Sequence, residues 1–166
     1  MPDFSDKVRS FIEKMIRWVP GYTGYSDKES RRNTDKLLRM HLAGKLEESK
    51  TAFDSLVSTL SQKPEALDLL NTSASITQHM EKVIDRLKLA DYGYAGFFDS
   101  QKIMEPQLDA LYKFDQDLAV AITAIRNRVT TLTPDQAALS SLLSDLQAFD
   151  IKLNARNEAI SETKTV

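Results

Sequence analysis

The chain has 166 residues, no cysteine, two histidines and a net charge of −2 at pH 7. That length suits one domain that buries about 70% of the surface its unfolded chain exposes. The lack of thiols excludes disulfides and thiolate chemistry and points to a reducing, cytoplasmic setting. The opening Met1-Pro2-Asp3-Phe4-Ser5-Asp6 is acidic where a secretory signal is basic, and the longest apolar run, Leu118 to Ile122, is far short of a membrane span.

Phe4, Val8, Phe11, Met15 and Trp18 recur at three- and four-residue spacing, which predicts an amphipathic helix over 4–18 that Val19-Pro20-Gly21 ends. A second helix is expected from Ser26 to about Ser61. Ser26 would cap it, with Glu29 three places on reaching back, and Gly44 is the one position where it would bend. Its stripe runs through Leu38, Leu42, Leu46, Phe53, Leu56 and Leu60.

A third helix is predicted over 64–91, with Pro64 in its first turn and a weak point at Asn71-Thr72-Ser73. A fourth starts after Asp99 or, at the latest, near Glu105-Pro106, and carries Leu108, Leu111, Leu118, Ile122, Ile125 and Val129 to about 132. The fifth, 134–157, opens on the capping box Thr133-Pro134-Asp135-Gln136 and follows Leu139, Leu142, Leu146, Phe149 and Leu153. No strand pattern emerges. The expected class is all-α, an up-and-down bundle of about five helices in a single domain over 1–157, with a polar, frayed tail over 158–166.

One motif stands outside these stripes. Gly21-Tyr22-Thr23-Gly24-Tyr25 returns 72 positions later as Gly93-Tyr94-Ala95-Gly96-Phe97, and the two copies hold four of the five glycines. Upstream, Phe11-Ile12-Glu13-Lys14-Met15 matches Val83-Ile84-Asp85-Arg86-Leu87 in character. Glycine opens backbone angles closed to other residues, and aromatic rings bring large buried area, so each copy reads as a corner between helices. Pro20 through Arg32, Asp35-Lys36-Leu37-Leu38-Arg39, and Ala90 through Asp99 resemble the signature of a small prokaryotic all-α family. The resemblance implies a shared helical fold and a shared use for the corners. It implies no catalytic residue, because the family has no known activity.

Charge is uneven along the chain. Ten basic and four acidic residues lie between Lys7 and Lys45, a local balance of +6 that leaves −8 for the rest. Such asymmetry marks either a surface for an anionic partner or two parts of one fold that attract each other, and the second reading is favoured. Arg31, Asp35 and Arg39 share one helix face beside the first corner, with Arg32 alongside, and Asp91 and Asp99 bracket the second. The candidate binding or corner-packing residues are therefore Tyr22, Tyr25, Arg31, Arg32, Arg39, Asp91, Tyr92, Tyr94, Phe97 and Asp99.

Catalytic and metal-binding patterns are lacking. His41 and His79 are isolated and have Leu38 and Ile76 three places back, so neither a Glu-x-x-His di-iron pattern nor a zinc cluster is written here. There is no phosphate-cradling GxxxxGK[ST], no GxGxxG and no GxSxG. No cofactor, metal or catalytic residue is expected. The leading expectation is a non-enzymatic helical interaction or scaffold module with a protein partner, self or other. The alternative is a small-molecule or phosphate-group binding protein, or an enzyme of unrecognised type, built on Arg31, Arg32 and the Tyr-Gly corners. Residues 4–18 would also suit a membrane surface, a weaker reading because Asp6 and Glu13 dilute the charge. Nucleic acid is disfavoured by a pI near 5.7 and the lack of a reader motif.

Overall fold

The computed structural model describes residues 4–89, 98 and 103–162, and these residues are helical apart from short turns. Five α-helices follow in order: α1 Phe4–Trp18, α2 Arg31–Leu60, α3 Leu67–Leu89, α4 Glu105–Thr130 and α5 Gln136–Glu162. A 3-10 turn, Pro64–Ala66, leads into α3. No described residue belongs to a strand.

The four long helices make a bundle. α2 packs against α3 and α4, and α5 packs against the same two, so α3 and α4 stand on one diagonal and α2 and α5 on the other. α1 lies outside this ring, against α4. Side-chain pairs fix the directions. Lys50 to Glu81 and Arg39 to the Leu87 carbonyl make α2 and α3 antiparallel, and Arg128 to Asp145 with Asp115 to Arg156 do the same for α4 and α5.

The core is the set of stripes read from the sequence. Leu38, Leu42, Leu46 and Phe53 of α2 meet Ile76, Met80, Val83 and Leu87 of α3, Leu118, Ile122 and Ile125 of α4, and Leu139, Leu142, Leu146, Phe149 and Leu153 of α5. Each fully buried leucine, isoleucine or phenylalanine contributes about 1.5–3 kcal/mol relative to exposure. The apolar side of α1 joins them: Met15 is buried, and Val8, Phe11 and Ile12 pack on the cluster.

Several local expectations are corrected. α2 begins at Arg31 rather than Ser26, because residues 26–30 form turns held by Asp27, whose carboxylate accepts from the Ser30 hydroxyl at 2.8 Å. Ser26 instead lies 3.5 Å from the Tyr112 hydroxyl. The cap of α5 is Asp135 rather than Thr133, since its carboxylate accepts from the Ala138 amide at 2.8 Å. α3 runs unbroken through Asn71-Thr72-Ser73, where the Ser73 hydroxyl donates back to the Leu69 carbonyl inside the helix. α5 continues past 157 to Glu162, and Ile160 is buried, so apolar packing holds what reads as a polar end.

Candidate functional site

The first glycine corner delivers two tyrosines to the interior. Gly21 and Gly24 have φ of 87° and 85°, backbone that favours glycine, and they turn the chain so that Tyr22 and Tyr25 both point into the bundle. A Cβ on Gly24 would stand 2.6 Å from the Tyr112 hydroxyl and 2.9 Å from Ile12. The turn is tied down by side chains of α2 and α4. Thr34 donates to the Gly24 carbonyl at 2.9 Å, Arg31 donates to the Tyr25 carbonyl at 2.9 Å, and the Tyr25 amide donates to the Tyr112 hydroxyl at 2.8 Å.

Inside lies a charged network that draws on all four bundle helices. Asp115 of α4 accepts from the Tyr22 hydroxyl at 2.8 Å and the Tyr25 hydroxyl at 2.5 Å on one oxygen, and from Arg156 Nε at 2.8 Å on the other. Arg156 of α5 reaches across the bundle axis to Asp35 of α2 at 2.8 Å and also meets the Tyr25 hydroxyl at 3.1 Å. Asp35 in turn accepts from Arg39 at 2.8 Å, and Arg39 donates to the Leu87 carbonyl of α3 at 2.7 Å. Two carboxylates meet two guanidiniums, and the side chains of Asp115 and Arg156 are both 0% exposed.

Burial sets the protonation of this network. Desolvation pushes the Asp115 carboxyl above its ordinary range, opposed by Arg156 and the two tyrosine hydroxyls. Desolvation would lower Arg156, but Asp115, Tyr25 and Asp35 more than reverse it, so the guanidinium stays charged. Tyr22 and Tyr25 are pushed well up, first by burial and then by Asp115, and remain hydroxyl donors. The arrangement is an ionic clasp in which the two carboxylates and two guanidiniums pair with each other, while Arg156 Nη1 is buried without a hydrogen-bond partner among the described residues.

Of the residues singled out from sequence, Tyr22, Tyr25 and Arg39 enter the clasp and Arg31 braces its corner, while Arg32 lies exposed on α2. Asp91, Tyr92, Tyr94, Phe97 and Asp99 lie outside the described residues, and with them the expected pairing to Arg31 or Arg32. Phe98 is described. Its buried ring stacks on Tyr25 with centroids 6.3 Å apart, an aromatic contact between the two corner segments.

Asp115, Arg156 and Tyr112 were not singled out, although a signal existed. Leu111, Asp115, Leu118 and Ile122 recur at spacings of four, three and four, and Phe149, Leu153, Arg156 and Ile160 do the same. A charged residue in a core stripe predicts a buried charge, and a buried charge needs a partner.

Among the described residues no group of three or more metal-ligating side chains is arranged to hold an ion, and no helix is long and apolar enough to cross a membrane. Compared with protein families, curated proteins and solved structures, the chain matches none of them.

Proposed function

We propose that the protein is a non-enzymatic helical interaction module of the cytoplasm, whose interior clasp fixes helix order so that outer faces are presented rigidly to a protein partner. The observation that carries this reading is the closure of the clasp: Tyr22, Tyr25, Asp35, Arg39, Asp115 and Arg156 bond to one another at no more than 3% exposure. Residues so placed organise the bundle rather than meet a substrate. The outer face of α4 and α5 supports a partner role. Val120 is 51% exposed there, beside a shallow groove of about 300 Å³ that it lines with Ala124 and Ala148, flanked by Arg128, Asp145 and Lys152. An apolar floor with a charged rim is the usual anatomy of a protein contact.

Capture of the tagged chain from its source cells, with identification of co-purifying protein and small molecules, tests the reading. A protein partner retained by the wild type and lost in Val120→Glu, with the fold intact by circular dichroism, is the expected result. A stoichiometric small molecule with no protein partner would overturn it in favour of a ligand-binding role.

A further inference from the structure

A second polar site lies away from the clasp, where the end of α1 bridges α2 and α4. The cleft there has a volume of about 530 Å³, within the range of small-molecule sites. Arg17 and Trp18 form the α1 wall, His41 and Lys45 stand one turn apart on α2, and Arg126 and Asn127 line the α4 side. None of its lining residues is a carboxylate.

The nearest counter-ion is Glu48, which lies 3.3 Å from Lys45 and 3.7 Å from Arg126 and is shared between them. Arg17 has no carboxylate partner among the described residues. Three permanent cations against one carboxylate leave an excess of two positive charges. The carbonyl end of α1 also points here, and Arg17 in its last turn offsets that dipole.

We infer that this cleft binds a phosphate group, with Arg17 and Arg126 converging on it from two helices and Trp18 walling the remainder of the ligand. A guanidinium fork matches phosphate oxygens in pairs, and two forks from separate elements fix one group in place. A phosphate anion neutralises positive charge that Glu48 and the α1 carbonyl end leave unbalanced. The Asn127 amide, which also lines the cleft, adds a neutral donor beside Arg126. The Trp18 indole, 37% exposed, offers an apolar surface to whatever carries the phosphate. The phosphate belongs either to a soluble metabolite or to a lipid headgroup, since both present anionic non-bridging oxygens to a guanidinium fork.

Trp18 is the chain's one tryptophan, so its fluorescence reports directly on the cleft. Titration of the full chain with inorganic phosphate and with pyrophosphate, at constant ionic strength, should give a saturable change with Kd below about 1 mM for at least one of them. A parallel titration uses phosphatidylcholine vesicles with and without phosphatidylglycerol. A response only to the vesicles containing phosphatidylglycerol assigns the phosphate to a headgroup, and a response to the soluble anions assigns it to a metabolite. The Arg17→Gln/Arg126→Gln double variant should weaken either response by about tenfold or more, while Arg9→Gln, on the same helix, leaves it unchanged. Both cleft arginines are exposed, so the double variant should fold, with an unchanged circular dichroism spectrum. No saturable response from any probe, or an undiminished response in the folded double variant, would overturn the site.

Discussion

The clasp and the cleft use the same residue types to opposite ends. In the clasp, Asp35 and Asp115 match Arg39 and Arg156 one for one in the interior toward one end of the bundle, with tyrosine hydroxyls making further hydrogen bonds to Asp115 and Arg156. In the cleft, Arg17, Lys45 and Arg126 face a single carboxylate and remain in contact with water. The difference follows from desolvation. A charge taken out of water costs several kcal/mol unless a partner comes with it, so burial forces balance, whereas an exposed cleft tolerates an excess that a ligand can neutralise.

The sharpest way to break this comparison is to unbalance the clasp. Asp115→Ala leaves Arg156 buried with Asp35 as its one carboxylate partner and strips both tyrosine hydroxyls of their acceptor, so unfolding in denaturant should show a loss of about 3–5 kcal/mol. Adding Arg156→Ala should cost less than the sum of the single changes, because the double variant no longer strands a charge. Additive losses would mean that the two groups do not act as a pair.

The corner that feeds the clasp comes next. Gly24→Ala combines a strained backbone at φ 85° with a clash against Tyr112 and Ile12, and should destabilise by roughly 1–3 kcal/mol in the same assay. Gly44→Ala, in α2 with nothing within 4 Å of the added carbon, should instead stabilise by up to about 1 kcal/mol. Equal effects at the two glycines would remove the case for a built corner.

The smallest effect belongs to the cleft. Burial, then Lys45, hold the His41 imidazole below its ordinary value of 6.5, against the pull of Glu48. The folded state thus binds this proton less readily than the unfolded chain. Its contribution to stability is present above pH 6.5 and is lost as pH falls from there through the folded value. His41→Gln should flatten that part of the stability profile between about pH 7.5 and pH 5. An unchanged slope would show that other groups carry it.

Much of this molecule is legible along the chain. The three- and four-residue spacing of apolar side chains sets which face of each helix is buried, and the limits of α1 read directly from Phe4 to Trp18. The glycines of the first corner declared its left-handed backbone. Helix starts were less legible: Ser26 is a competent cap, but the turn that brings Tyr25 onto Tyr112 runs on to Ser30, which takes the N-cap position of α2 instead.

Periodicity is a local property, and it settled the helices and their inner faces because each depends on neighbours three or four residues away. Which charges meet depends on the order of helices around the bundle. Arg156 finds Asp115 and Asp35 from 41 and 121 positions away only because α5 stands beside α4 and diagonally across from α2. No local pattern specifies that order, so the clasp, and the cleft formed where α1 is laid across α2 and α4, were decided by tertiary packing.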